Sequence, residues 1–234
     1  MAKGKINVHV ENIFPLIKRF LYSDHEIFLR ELISNATDAT LKLKHLASIG
    51  EYKGDVDSAR LEVKIDKEGK KLHIIDQGIG MSRDEVKKYI NDIAFSGAEE
   101  FLEKFKDEKN DAGIIGHFGL GFYSAFMVAS QVEILTKSYR EDEEAAHWIC
   151  DGSPEYTLKK ADKKDRGTEI ILHIDDDSTE FLEEQRIDEL LLKYNKFMPI
   201  PIKFGTEEVA DPDHKPKTIK DKDGKETTEP QKMI

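Results

Sequence analysis

Residues 31–39 read ELISNATDA, and this stretch is more informative about fold and function than any other in the chain. Glu31, Asn35 and Asp38 are spaced by four and then three residues, which places them on one face of a helix. The neighbouring face of that helix is apolar. A carboxylate and a carboxamide one turn apart suit a site in which Glu31 takes a proton from water and Asn35 offers oxygen to Mg²⁺. A solvated polar face is the alternative interpretation of this segment alone.

Hydrophobic periodicity predicts the elements on either side of this helix. Ser23 and Glu26 have capping-box spacing, so the helix begins there. In the first half of the chain, the predicted elements are a strand at 6–10, a helix at 11–22 and a hairpin of strands at 61–66 and 71–75. They are followed by a helix that runs from a capping box at Ser82 and Glu85 to about residue 93, a short helix at 101–105 and a polar loop at 107–113. The later elements are an apolar helix at 122–128, strands at 132–138, 146–150 and 168–174, a helix at 179–197 and an edge strand at 199–204.

This order of elements predicts an α+β fold, a two-layer sandwich in which a mostly antiparallel sheet carries helices on one face. Residues 1–204 are expected to form the domain. From Gly205 the periodicity stops and charged residues dominate. Such a segment buries too little apolar surface to order itself, so 205–234 is predicted to be a linker or tail.

Composition excludes several classes of protein. The 234 residues are 38% hydrophobic and 35% charged, with a net charge of −11, which disfavours a general nucleic-acid binder. No apolar run reaches the roughly 18 residues of a membrane span, and the N-terminus has no signal-peptide core. Cys150 is the only cysteine, so we expect a reducing, cytoplasmic setting and no zinc site.

Asp76 opens a second informative stretch, DQGIGM at 76–81, directly after the second hairpin strand. A buried carboxylate only accepts hydrogen bonds, so it favours adenine, which presents an amino group, over guanine, which presents a carbonyl at that edge. Gly78 and Gly80 allow the close approach of a flat base, and Met81 offers a polarisable contact to it. The alternative is an ordinary Asp-x-Gly turn.

A second glycine cluster lies in IGHFGLGFYSAF at 115–126, with Gly116, Gly119 and Gly121. Its spacing matches neither the dinucleotide-binding motif nor the phosphate loop. Three interpretations stay open: amides that meet phosphate at a helix N-terminus, a hinge for a mobile segment, or a tight turn. Thr168, in RGTEI at 166–170, either adds a hydroxyl beside the base or is an ordinary strand residue.

Taken together, ELISNATDA, DQGIGM, GHFGLGFYSAF and RGTEI resemble the motifs of the GHKL ATPase superfamily in order and approximate spacing. Within it, EIFLRELISNATDA and FGLGFYSAF closely resemble the N-terminal domain of the 90-kDa heat-shock chaperone family in its bacterial form. The resemblance covers about residues 5–204. It implies an ATP pocket on the antiparallel sheet of the GHKL fold.

By position, the resemblance implies a general base at Glu31 with Arg30 beside it, a Mg²⁺ ligand at Asn35 and an adenine anchor at Asp76. Since similar histidine kinases lack a carboxylate one turn before the Asn, Glu31 favours hydrolysis. The other nucleotide-binding positions that the resemblance implies are Gly80, Met81, Gly97, Gly116, Phe118, Gly119, Leu120, Gly121, Phe122 and Thr168.

Three positions depart from the family pattern: Phe95 replaces the usual Lys, Ala98 the usual Thr and His117 the usual Gln. The missing Lys puts one phosphate contact in doubt. The resemblance further implies unfolded client proteins as partners, a stress-response role and a homodimer formed mainly by a C-terminal domain. It places an activating Arg in a following domain, so we expect a piece of a longer protein with tight binding and slow hydrolysis.

Two other classes of function remain as alternatives. One is a gyrase-type or mismatch-repair ATPase, which a DNA-stimulated rate would favour and the acidic charge disfavours. The other is a non-hydrolysing interaction module that keeps the fold as a scaffold, which the lack of magnesium-ATP affinity would favour.

Overall fold

The computed structural model describes residues 25–91 and 121–205, together with the backbone of two short strands further along the chain. The chain divides into two compact units, Met1–Phe204 and Gly205–Ile234. The predicted strand at 6–10, the helices at 11–22 and 101–105 and the loop at 107–113 lie outside the described residues.

Seven strands of the first unit form one sheet in the spatial order β5-β4-β3-β6-β2-β1-β7. The strands are β1 Leu61–Asp66, β2 Lys71–Ile75, β3 Ala129–Lys137, β4 Ala146–Cys150, β5 Thr157–Lys160, β6 Gly167–Ile174 and β7 Ile202–Phe204. Every neighbouring pair is antiparallel except β1 and β7, which are parallel. The predicted hairpin is therefore confirmed, and the edge strand predicted at 199–204 is confirmed for Ile202–Phe204.

Helices cover one face of this sheet. They are α1 Ile27–Ser48, η1 Gly121–Met127, α2 Arg83–Ile90, η2 Asp176–Leu182 and α3 Glu184–Asn195, where η marks a 3₁₀ helix. Along β3, Val132, Ile134 and Thr136 are buried, whereas the intervening Glu133 and Leu135 are partly exposed. One face of the sheet is thus core and the other is not, and the predicted α+β class is confirmed. None of the described helices is both long and apolar enough to span a bilayer.

Side-chain hydrogen bonds fix the N-termini of α1 and α2. The capping box of α2 is confirmed, since the Glu85 amide donates to Ser82 Oγ at 3.3 Å and the Ser82 amide to Glu85 Oε2 at 2.8 Å. At the start of α1, Glu26 accepts hydrogen bonds from three residues of α3: Lys193 (2.6 Å), Arg186 (2.6 Å) and Tyr194 (2.9 Å). These bonds lower the pKa of Glu26 to about 2, with the bond from Lys193 the largest cause.

The predicted helix at 179–197 is wrong as a single element. Glu183 is extended (φ −91°, ψ 127°) and separates η2 from α3. The chain changes direction at this break. Phe181 and Leu182 are buried in the core from η2, and Ile187 and Leu190 are buried from α3. The helical spacing of apolar residues in the sequence does not predict a helix break at a single residue.

Two further elements differ from prediction. The apolar helix at 122–128 is present, but as the 3₁₀ helix η1, in which Ser124 Oγ donates to the Gly121 carbonyl three residues earlier (2.5 Å). Strand β5 was not predicted, because Leu158 is its one apolar residue.

The second unit contains a two-stranded antiparallel pair, Thr218–Lys220 and Glu226–Thr228. The expectation of no regular structure after Gly205 is wrong for these six positions. Asp223 and Gly224, between the two segments, form a dipeptide typical of hairpin turns and were the available signal. That 205–234 acts as a linker or tail stays a prediction.

Candidate functional site

Asp76 lies directly after β2, and its side chain is buried. Its Oδ1 accepts the amides of Gly78 (2.8 Å) and Thr168 (3.2 Å), and these are the hydrogen bonds that the described residues give the carboxylate. Burial raises the pKa of Asp76 to about 6, although the two amides and the charge of Lys163 act in the opposite direction. Oδ2 is therefore available to a ligand that donates a hydrogen bond.

The glycines after Asp76 let the turn approach both α1 and the sheet. A Cβ on Gly78 would lie 2.5 Å from the carbonyl carbon of Ala39 in α1, and the Ile79 amide donates to the Ala39 carbonyl at 3.1 Å. Gly80 has φ +58°, and a Cβ there would lie 1.8 Å from the Lys137 carbonyl oxygen. Both positions exclude a side chain, so the backbone of 78–80 is held between α1 and β3.

Met81 and Thr168, both predicted to contact the base, are connected to Asp76 through hydrogen bonds. The Asp76 amide donates to the Thr168 carbonyl at 2.8 Å. The Met81 amide donates to Thr136 Oγ1 at 2.9 Å, and Thr136 Oγ1 lies 2.9 Å from Thr168 Oγ1. Thr136 was missed by the sequence reasoning. Its signal was a polar residue at a core-facing position of an alternating strand.

The polar stripe of α1 divides into three environments. Glu31 is half-buried, and its Oε1 is paired with Arg30 at 2.6 Å from Nη2 and 3.1 Å from Nε. Asn35 is exposed, whereas Asp38 is buried at 5% exposure. The stripe is therefore not a uniform solvated face, and Asp38 belongs to the packed part of the helix.

Gly121, the one glycine of the second cluster that lies within the described residues, packs against Glu31. A Cβ on Gly121 would lie 2.7 Å from Glu31 Oε2. The next residue, Phe122, is buried, and its ring meets that of Trp148 edge-on at 5.7 Å between centroids. The Phe122 side chain therefore belongs to the core, which leaves its backbone for any contact with a nucleotide.

Helix α1 connects the two ends of the site. Glu31 lies against Gly121 at one end, and Ala39 lies against Gly78 at the other. Eight residues of α-helix rise about 12 Å, and Asn35 lies midway. This separation suits an elongated ligand that has a base near Asp76 and a reacting group near Glu31.

Five predicted nucleotide-binding residues lie outside the described residues, namely Gly97, Gly116, Phe118, Gly119 and Leu120, and so do the departures Phe95 and His117. Ala98 lies there as well. Their predicted roles stay predictions.

Within the described part of the chain, no group of three His, Cys, Asp or Glu side chains is placed to hold a metal ion. In nucleotide sites Mg²⁺ keeps several waters and binds through substrate phosphates with one or two protein oxygens. The exposed carboxamide of Asn35 fits that requirement, since it offers one neutral oxygen.

The fold and the site define a class of protein. The sequence model of the histidine kinase-, DNA gyrase B- and HSP90-like ATPase family matches residues 22–179, and the chain belongs to this family. The resemblance noted from the motifs is thereby confirmed.

Within that family, the chain is similar to proteins named chaperone protein HtpG. It is 62% identical to the one from Bacteroides thetaiotaomicron over 205 residues, which cover 88% of this chain and 30% of the relative. It is 60% identical to the one from Porphyromonas gingivalis (strain W83) over 203 residues, which cover 87% of this chain and 29% of the relative. The chain therefore spans about 30% of the length of these curated relatives.

Proposed function

We propose that this chain binds ATP with Mg²⁺ and hydrolyses it to ADP and phosphate. One observation carries the proposal: buried Asp76 keeps an acceptor oxygen available, and the turn that follows it packs on Ala39 of α1, the helix that also carries Glu31 and Asn35. The turn that follows the base-reading group thus packs on the helix that carries the candidate proton acceptor.

Asp76 selects the base. Its Oδ2 accepts the exocyclic amino group of adenine, whereas the carbonyl of guanine would face a second acceptor in a buried site. Gly80 keeps the backbone close to the base, and Met81, which is half-buried, offers it an apolar contact.

Asn35 is the protein ligand that we assign to Mg²⁺, which when bound neutralises charge on the triphosphate. The amides from Gly97 and from Gly116 to Phe122 are assigned to the phosphates, as the resemblance implies. In this proposal the phosphates are therefore held mainly by backbone groups.

Glu31 orients the attacking water and accepts its proton. In this structure Glu31 Oε1 is occupied by Arg30, whereas Oε2 faces Gly121, on the side where the phosphates are proposed to bind. The bonds from Arg30 Nη2 (2.6 Å) and Nε (3.1 Å) fix the direction of the Glu31 carboxylate. Transfer of a phosphoryl group depends mostly on positioning and charge stabilisation, and we expect a further cation from outside this chain and hence slow turnover here.

For the longer protein we propose the role of a molecular chaperone in the cytoplasm, with unfolded clients and a homodimeric assembly. The support is the name of the relatives, chaperone protein HtpG, and their identity of about 60% to this chain. Residues 1–204 are proposed as the ATP-binding domain and 205–234 as a charged connection toward a following domain.

Glu31→Gln tests the catalytic part of this proposal. The amide retains the size of the carboxylate but takes no proton, so turnover should fall at least about a hundredfold while ADP affinity stays within threefold. The assay is phosphate release over long incubation beside calorimetry of ADP, with the exposed Glu189→Gln as the matched control. Turnover retained in Glu31→Gln would remove Glu31 from this role, and a chain that binds nucleotide but never turns it over would be an interaction module.

A further inference from the structure

Thr136 is a buried hydroxyl near the C-terminal end of β3. It lies on β3 directly opposite Thr168 on β6, and its side chain has no exposed surface (0%). Buried hydroxyls in native proteins have hydrogen-bond partners, and the direction of those bonds determines what neighbouring groups can offer.

The contacts of Thr136 favour one direction for its proton. Oγ1 accepts the Met81 amide at 2.9 Å, so its single proton goes either to Thr168 Oγ1 at 2.9 Å or to the Gly167 carbonyl at 3.4 Å. The first distance is within reach of an ordinary O–H···O bond, and the second is well beyond it. When Thr136 donates to Thr168, the proton of Thr168 is left for another acceptor.

The hydrogen-bond donor at Thr168 complements the acceptor oxygen of Asp76. The Thr168 amide is bound to Asp76 Oδ1 at 3.2 Å, so the hydroxyl of Thr168 and the available oxygen of Asp76 belong to the same small region. An acceptor from Asp76 and a donor from Thr168 together match adenine, in which the exocyclic amino group adjoins the ring acceptor N1. Guanine and hypoxanthine present a carbonyl and an N–H at those positions, the reverse pattern.

We propose that Thr136 is a positioning residue for base selection: held by the Met81 amide, it directs its proton to Thr168 and so makes the Thr168 hydroxyl a donor to an unprotonated ring nitrogen of the base. This inference rests on the proposed ATP site and deepens it. Thr168 is already expected to contact the base; the new element is that Thr136, which need not touch the ligand, sets the direction of the Thr168 hydroxyl.

The test compares ADP with its 1-deaza analogue, in which the ring nitrogen is replaced by C–H. The unmodified protein should prefer ADP by about threefold to tenfold, the size of one neutral hydrogen bond. Thr136→Ser retains the hydroxyl and should retain this preference, whereas Thr136→Val should lose most of it. Both affinities are measured by calorimetry at pH 7.5.

A purely structural role for Thr136 predicts something else. Thr136→Val leaves the Met81 amide without its acceptor, so a general disturbance would weaken ADP and the 1-deaza analogue by the same factor. That result, or a preference unchanged from the unmodified protein, would overturn the inference while the ATP site stands. If Thr136→Val does not fold, Thr136→Cys, whose thiol is a weak donor, takes its place.

A double variant tests whether Thr136 acts on the base through Thr168. Thr168→Val should abolish the preference by itself, and adding Thr136→Val should cause no further loss, because Thr136 acts through Thr168. A further loss in the double variant contradicts this order of action. Failure of the unmodified protein to bind ADP at all would refute the proposed function, and the inference with it.

Discussion

Asp76→Asn should make the nucleotide-free protein more stable while it abolishes ATP binding. The carboxylate is buried, and burial holds its pKa at about 6 rather than 3.8. Above pH 6 the folded protein therefore retains a buried charge that the unfolded chain exposes to water. An amide keeps an oxygen for the amides of Gly78 and Thr168 but carries no charge to desolvate.

The size of the effect follows from the pKa. A pKa that moves from 3.8 to about 6 corresponds to about 3 kcal/mol, at 1.36 kcal/mol for each pKa unit. Because the folded-state pKa lies above the unfolded value, the folded state binds more protons between about pH 4 and pH 6. The contribution of Asp76 to stability is thus most favourable below pH 4 and is lost as the pH rises through 6.

Urea denaturation of both proteins at several pH values measures this contribution. At pH 7.5 we expect Asp76→Asn to be more stable by about 1–3 kcal/mol, the lower bound allowing for an unpaired Nδ2 in the amide. The difference should shrink as the pH falls from 6 and vanish near pH 4. Asp84→Asn, at an exposed carboxylate, is the matched control and should show no gain at pH 7.5.

Two outcomes would refute the reasoning for Asp76. One is an Asp76→Asn protein that is no more stable than the unmodified protein at pH 7.5. The other is a gain in stability that does not depend on pH, because desolvation of a charge is the stated cause.

Two further predictions concern the surroundings of α1. Gly121→Ala adds a methyl group 2.7 Å from Glu31 Oε2, so the Glu31 carboxylate must move; phosphate release should fall at least tenfold while ADP affinity, by calorimetry, changes less than threefold. A turnover unchanged in Gly121→Ala would show that this approach does not position Glu31. Arg186→Ala removes a 2.6 Å bond to Glu26, and urea denaturation at pH 7 should show a loss of about 1–2 kcal/mol. An unchanged midpoint would mean that Lys193 and Tyr194 alone hold the start of α1.

Local patterns in the sequence predicted much of the fold because the relevant signals are short-range. The alternation of Leu61, Val63 and Ile65 marks a half-buried strand wherever it occurs, and the reciprocal bonds of Ser82 and Glu85 need only a spacing of three. The fold class followed from the order of such elements along the chain.

Other features depend on contacts between distant segments and had no local signal. Strand β5 has one apolar residue and is recognisable by its pairing with β4. The break at Glu183 depends on how Phe181 and Leu182 reach the core. Strand pairing puts Thr136 opposite Thr168, 32 positions further along the chain, and periodicity within one strand does not specify its partner.

For the site, the residue types indicated the chemistry, and the fold determined their environments. Asp76 was predicted as a buried acceptor, and the structure adds that one of its oxygens is already occupied by two amides. Helical spacing alone puts Glu31, Asn35 and Asp38 on one face, and site roles were predicted for Glu31 and Asn35 and not for Asp38. Packing separates them, because Asp38 faces the core, Asn35 faces solvent and Glu31 is held by Arg30.

The central claim is that Asp76 reads adenine in an ATP site. Calorimetric titration of the chain with ATP and with GTP, each with Mg²⁺ at pH 7.5, tests it most directly. We predict one ATP site, GTP binding weaker by at least about a hundredfold, and no measurable ATP binding by Asp76→Asn. Equal affinity for ATP and GTP, or unchanged ATP affinity in Asp76→Asn, would contradict the account.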